Sequence, residues 1–186
     1  MEITAGQNVT IDLNGKTLES LESEVFIVND GTLTITGDGE VIASRDNMQD
    51  GGAIWVNGAN AVAVIKGGKF KAGGDEVSHI TYPEADKRND CIYVGKEGGQ
   101  IYIEGGSFEY TGADATGNDD GNRFLVNQRD NSNAVNLPQC IFISGGQFKK
   151  FNPAAAETND GWMSNPVNYV VSGKTVEQNG DWYIVK

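Results

Sequence analysis

Apolar and polar residues alternate with a period of two along most of this chain, and the alternation returns in blocks. Ala53 to Phe70 reads AIWVNGANAVAVIKGGKF, Cys91 to Phe108 reads CIYVGKEGGQIYIEGGSF, and Phe124 to Phe148 reads FLVNQRDNSNAVNLPQCIFISGGQF. Each block is a strand, a turn, a second strand, a Gly-Gly pair and an aromatic residue. Phe26 to Val41, FIVNDGTLTITGDGEV, follows the same plan with Gly37-Asp38-Gly39 in place of Gly-Gly. Val9 to Leu18, VTIDLNGKTL, is a partial copy whose turn is Asn14-Gly15. A period of two predicts strands, and neither heptads nor a 3.6-residue period is present to support a helical repeat.

The blocks end on Leu18, Val41, Phe70, Phe108 and Phe148, and the stretches between these anchors lengthen along the chain. A constant core with growing insertions is the behaviour of a β-solenoid, in which each coil stacks on the one before and insertions collect where strands end. The fold class expected is therefore all-β, a right-handed parallel β-helix of about five coils. Alternation sorts its faces. Leu33 and Ile35, Ala63 and Ile65, Ile101 and Ile103, and Ile141 and Ile143 share a parity and are predicted to point inward, as are Val28, Val56, Val94 and Val126. The Gly-Gly corner turns the chain where a Cβ would crowd the next coil, and Phe70, Phe108 and Phe148 then fill the third side.

The residues between the inward columns carry the candidate function. In the first strand the outward column reads Ile27, Trp55, Tyr93, Leu125, without a charge at any of these levels. In the second it reads Asp12, Thr34, Val64, Tyr102, Phe142, beside a neighbour that reads Asn14, Thr36, Lys66, Glu104, Ser144. Apolar stripes of this length call for a partner, so Ile27, Trp55, Tyr93, Leu125, Tyr102 and Phe142 are the candidate binding or interface residues. Three coverings are open for the Trp55 and Tyr93 stripe: long loops such as Gly73 to Asp90, a homo-oligomer interface, or the sugar rings of a polysaccharide.

After Phe151 the pattern changes. Asn152 to Asn168 lacks strand periodicity and reads as a loop over the last coil. YVVSGKTVEQNGDWYIVK then holds two apolar runs around Asn179-Gly180, which predicts a capping hairpin or strand. The organisation expected is a β-helix over 1–151 and a C-terminal loop with capping strands over 152–186.

Composition narrows the class. The chain has 186 residues, 25 of them Gly and 4 Pro, with 14 basic against 26 acidic side chains and a formal charge of −12. That length suits one domain or a solenoid. Such an acidic surface repels phosphate backbones, so nucleic acid is not an expected partner. No apolar run is long enough for a bilayer, so membrane insertion is not expected, and no basic stretch followed by an apolar one announces a secretion signal. Cys91 and Cys140 are too few for a disulfide framework and are expected to be free thiols.

VTIDLNGKTL with its Asn-Gly turn and the repeated Gly-Gly-x-Phe resemble the pectate-lyase-like parallel β-helix superfamily. The chain is similar in particular to the small Gly-rich β-helices of phage head fibres, tailspikes and surface adhesins of gut bacteria and their phages. The resemblance spans about Val9 to Phe151 as strands and corners, and it implies fold and not activity. Members with this pattern usually have another strand before the one resembling Glu2 to Asn8, which implies a fragment or a chain that follows another domain. Lyases of this kind carry several carboxylates for calcium on one outward face, with an Arg or Lys as base. Here Asp12, Glu104 and Lys66 each stand alone at their level, and Arg45, Arg88, Arg123 and Arg129 fall in or beside loops.

A hydrolase needs two carboxylates about 5–10 Å apart. Glu104 with Asp75 or Glu76 is the pair the chain offers, and its spacing does not demand one. His79 has no visible partner for catalysis. Asp114, Asn118, Asp119 and Asp120 within Thr111 to Arg123 could offer oxygens to calcium but do not match an EF-hand loop. No catalytic residue, metal or cofactor is therefore assigned. The expected function is a non-enzymatic structural or adhesive module on a virion surface, as a head fibre, decoration or tailspike-like protein. It would present loops and bind host-surface glycans, and it would assemble as a homo-oligomer, for example a trimer, or with neighbouring virion proteins. The alternatives are a polysaccharide lyase or glycoside hydrolase, and an extracellular or bacterial cell-surface adhesin fragment.

Overall fold

The computed structural model describes residues 1–21, 24–43, 52–72, 90–95, 97–110, 125–128, 139–156 and 166–186. Among them there is no helix. Three consecutive strands make one round of chain. The first round is β1 (Glu2–Thr4), β2 (Asn8–Asp12) and β3 (Thr17–Ser20), and the second β4 (Phe26–Asn29), β5 (Thr32–Thr36) and β6 (Glu40–Ala43). The third is β7 (Ile54–Asn57), β8 (Val62–Ile65) and β9 (Lys69–Ala72), and the fourth β10 (Ile92–Val94), β11 (Gln100–Ile103) and β12 (Ser107–Tyr110). The fifth is β13 (Val126–Gln128), β14 (Ile141–Ile143) and β15 (Gly146–Lys149), after which β16 (Val176–Asn179) and β17 (Trp182–Val185) close the chain.

Each sheet takes every third strand. The first sheet runs β1-β4-β7-β10-β13, the second β2-β5-β8-β11-β14, and the third β3-β6-β9-β12-β15 followed by β17 and β16. All strand pairings between rounds are parallel, and among the strands only β17 against β15 and β16 against β17 are antiparallel. This all-β arrangement of three parallel sheets is compatible with a β-solenoid-like fold.

Register shows why these residues make these strands. Leu18, Val41, Phe70, Phe108 and Phe148 stand in one column, as the anchors predict. Val9, Leu33, Ala63, Ile101 and Ile141 form a second, and Ile11, Ile35, Ile65, Ile103 and Ile143 a third. From the second round onward these positions are fully buried and belong to one hydrophobic cluster. Phe70, Phe108 and Phe148 stack face to face, with centroids 5.0 and 4.9 Å apart and planes within 12° and 7°. Each such pair adds about 0.5–1.5 kcal/mol beyond area burial.

The Gly-Gly corners are a backbone requirement. A Cβ on Gly145 would lie 2.3 Å from the Glu104 carbonyl oxygen of the round before, and one on Gly105 would lie 2.6 Å from that of Lys66. Their successors Gly106 and Gly146 have φ of +98° and +105°, which L side chains rarely adopt. At the first corner Asn14 (φ 45°) and Gly15 (φ 69°) both take left-handed conformations, and Lys16 N donates to Leu13 O at 2.8 Å.

Three register expectations are corrected. In the first sheet, Val126 stands level with Ile92 and Gln128 with Val94. Leu125 therefore falls one residue before the strand, level with Cys91, and is fully buried. Val25, Ala53 and Cys91 occupy the same bend in earlier rounds and are buried too, because the chain turns into the sheet there and carries the side chain inward. Asn127 holds the place beside Tyr93 that Leu125 was expected to take. In the second sheet Thr10, not Asp12, stands level with Thr34, and Asp12, not Asn14, with Thr36. These offsets are of two residues, so parity survives while the level changes.

Candidate functional site

The outer face of the first sheet carries the column Glu2, Ile27, Trp55, Tyr93, Asn127. Ile27, Trp55 and Tyr93 are half-buried, and the rings of Trp55 and Tyr93 lie 6.5 Å apart at 31°. The Trp55 Nε1 is buried and has no hydrogen-bond partner among the described residues. At the last level the stripe turns polar: Asn127 is fully buried and its Nδ2 donates to Asp90 Oδ2 at 2.8 Å. No sequence pattern distinguished this pair, because Asp90 lies in a loop and reaches Asn127 only through the stacking of two rounds.

The outer face of the second sheet is a grid of three columns. Its centre reads Thr10, Thr34, Val64, Tyr102, Phe142. Tyr102 and Phe142 are half-buried and stacked, with centroids 5.2 Å apart and planes at 18°. The Tyr102 hydroxyl donates to Gln100 Oε1 at 2.9 Å. On the other flank Lys66 Nζ lies 3.8 Å from Glu104 Oε2, both about half exposed. Thus the carboxylate that sequence reading weighed for catalysis is ion-paired with the column's one cation. Asp12, its other acidic member, accepts from Asn14 N at 3.1 Å and so braces the first corner.

The third sheet presents an ionic exterior. Glu40 lies 3.4 Å from Lys71 and 3.5 Å from Lys69, Glu109 lies 3.0 Å from Lys149, and Lys149 Nζ sits 6.0 Å over the Trp182 ring. Such ladders keep one face solvated and contribute little stability each. The six candidate residues therefore separate. Trp55, Tyr93 and Ile27 share one face, Tyr102 and Phe142 share the next, and Leu125 lies in the core.

Chain connections differ in length by corner. Passages from the first sheet to the second take residues 5–7, 30–31, 58–61, 95–99 and 129–140, and those from the second to the third take 13–16, 37–39, 66–68, 104–106 and 144–145. Passages from the third sheet back to the first take residues 21–25, 44–53, 73–91 and 111–125. The two longest of these connections, 73–91 and 111–125, thus leave and return at one corner, beside the Trp55 and Tyr93 column, together with 44–53, while 129–140 belongs to the next corner. Asp75, Glu76, His79, the four arginines, the segment Thr111 to Arg123 and most of Gly73 to Asp90 lie outside the described residues.

Both cysteines are free. Burial pushes the Cys91 thiol far above its usual range, with the carboxylates of Asp90 and Glu109 adding to the effect, and burial also raises Cys140. Neither thiol is set up as a nucleophile. Among the described residues no group of three His, Cys, Asp or Glu side chains could hold a metal ion, and no helix is long and apolar enough to cross a membrane. Comparison of the chain with protein-family models, with curated proteins and with solved structures gives no match.

Proposed function

We propose that the three sheets close into a right-handed parallel β-helix and that the chain is a non-enzymatic structural or adhesive module of a virion surface, of the head-fibre, decoration or tailspike type. The observation that supports this best is that the two longest connections between sheets, 73–91 and 111–125, open at one corner in successive rounds: a stack of strands that presents long loops level by level divides scaffold from binding surface. The resemblance of the repeats to small phage and adhesin β-helices supports the setting. The stacked Tyr102–Phe142 pair offers an apolar aromatic patch to the C–H groups of a sugar, with Gln100 and Ser144 on its two flanks to meet hydroxyls.

The test is a panel of immobilised bacterial surface polysaccharides, probed with the intact chain and with Tyr102→Ala/Phe142→Ala. Binding that falls at least tenfold in the double variant, with an unchanged circular dichroism spectrum, supports the module. Release of reducing or unsaturated ends would replace it with the hydrolase or lyase reading. Capsid or tail genes beside the coding sequence are expected, whereas a longer gene with an upstream signal peptide would favour a cell-surface adhesin.

A second reading rests on the half-buried Ile27, Trp55 and Tyr93 column: several β-helices packed side by side about a symmetry axis. Sedimentation decides it, since a monomer at micromolar concentration sinks the oligomer.

A further inference from the structure

The chain does not end where the rounds end. After β15 it passes through Phe151 and Tyr169, both fully buried, and Ile143 pairs with Val170 in a parallel bridge that lengthens the second sheet by one level. The β16–β17 hairpin lengthens the third sheet beyond β15. Nothing comparable extends the first sheet among the described residues. Two walls therefore rise past the last round, and between them lies an open groove of about 600 Å³.

Strand parity says which side chains face it. Tyr183 stands level with Phe148 of the core and with Gln178 of β16, so both Tyr183 and Gln178 are on the inner side of the hairpin. Val176 shares that side, and Lys174 precedes it by two residues. Asn152, Asn168, Val170, Ser172 and Thr175 complete the opposite wall and rim, and no carboxylate among the described residues lines the groove. In a chain with 26 acidic residues and 14 basic ones, a concavity with one lysine and no acid among its described lining residues is distinctive.

The polar groups here have spare capacity. Asn152 Oδ1 accepts from Ala154 N at 3.0 Å and Asn168 Oδ1 from Val170 N at 2.9 Å, which leaves both Nδ2 groups without a partner among the described residues. Gln178 Nε2 donates to Gly180 O at 3.2 Å, leaving Oε1 to accept. Lys174 Nζ is exposed and makes no ion pair with a described residue. Three backbone donors of the segment 168–175 are already used: Tyr169 N donates to Pro153 O, Val171 N to Ile143 O and Lys174 N to Val171 O. A ring with hydroxyls is well served by three amides, an aromatic side chain and a cation.

We infer that the groove between the C-terminal hairpin and the segment 168–175 is a ligand site for a sugar that bears an anionic group, with Tyr183 as the stacking wall. Asn152, Asn168 and Gln178 meet its hydroxyls, and Lys174 meets its charge. The site is at the end of the stack, separate from the Tyr102–Phe142 face, and does not depend on it.

The experiment follows the side-chain amide and backbone NMR signals of the intact chain during titration with glucuronic acid, glucose 6-phosphate and glucose. The two anionic sugars are expected to shift Asn152, Asn168 and Gln178, and glucose at least tenfold more weakly. Which of the two acids binds more tightly identifies a carboxylate or a phosphate as the natural group. Lys174→Gln, a change at an exposed position, should lower affinity for both acids about tenfold and leave the spectrum of the core unchanged. Equal response to glucose, an undiminished response in Lys174→Gln, or tighter binding of a short peptide through its free carboxylate would each overturn the assignment.

Discussion

Cys91 shows how far a single side chain here is controlled by its place in the stack. It sits at the bend into the first sheet, fully buried between Ala53 and Leu125 of adjacent rounds, and its thiol is held protonated by burial. Because its folded pKa is raised, the stability this thiol contributes is present below about pH 8.5, where the unfolded thiol titrates, and is lost as pH rises above that. While the folded chain keeps the proton, the loss is about 1.4 kcal/mol per pH unit. Tyr169, buried near Asp90 and raised for the same reason, adds a second loss above about pH 10. Urea midpoints measured from pH 7.5 to 9.5 should fall in the natural chain and stay nearly level when Cys91→Ala is combined with Cys140→Ala, whose thiol burial also raises. A parallel fall in both would place the effect elsewhere.

At the scale of elements, strands and corners do different work. Strands supply inward columns that any apolar residue of suitable size can fill, as the succession Leu18, Val41, Phe70, Phe108, Phe148 illustrates. Corners are stricter, since backbone of one round lies against backbone of the next. Gly145→Ala, whose methyl would meet the Glu104 carbonyl oxygen, is expected to cost about 3 kcal/mol in urea unfolding, the upper end for overpacking. Gly6→Ala is the comparison: Gly6 has φ +80° and open space around it, so only conformational strain of about 1 kcal/mol applies. Equal losses, or a larger one at Gly6, would mean that the corner relaxes and that close stacking does not set the spacing of the rounds.

For the whole molecule, neighbours decide local stability. A strand of a middle round is hydrogen-bonded on both edges, as β8 is between β5 and β11, whereas β2 is paired only with β5. Val9 and Ile11 of β2 are only partly buried although their counterparts one round on are fully so. Amide hydrogen exchange should accordingly be slowest in β8 and β11 and fastest in β2, with the middle exceeding the first round by at least tenfold in protection. Uniform protection across the rounds would show a single cooperative unit instead. The formal charge of −12 is arranged unevenly over the same body. The third sheet wears paired charges, the second grades from threonine to aromatics, and the C-terminal groove is without acid among the described residues.

What the chain alone determined is the repeat. A period of two, glycine pairs at fixed offsets and a recurring aromatic are local features, and they were enough to locate strands, corners, the column of anchors and the C-terminal hairpin. They were also enough to single out Trp55, Tyr93, Tyr102 and Phe142 as outward-facing. Levels were harder to read than faces. Thr10 and Asp12, or Leu125 and Asn127, share a parity, so alternation cannot choose between them, and only hydrogen-bonded register does. The stacked geometry of Tyr102 on Phe142, the pairing of Asp90 with Asn127, and the groove between two extended walls belong to tertiary structure alone. Each depends on residues far apart in the chain brought level by stacking, and no local pattern carries the length of the loops between them.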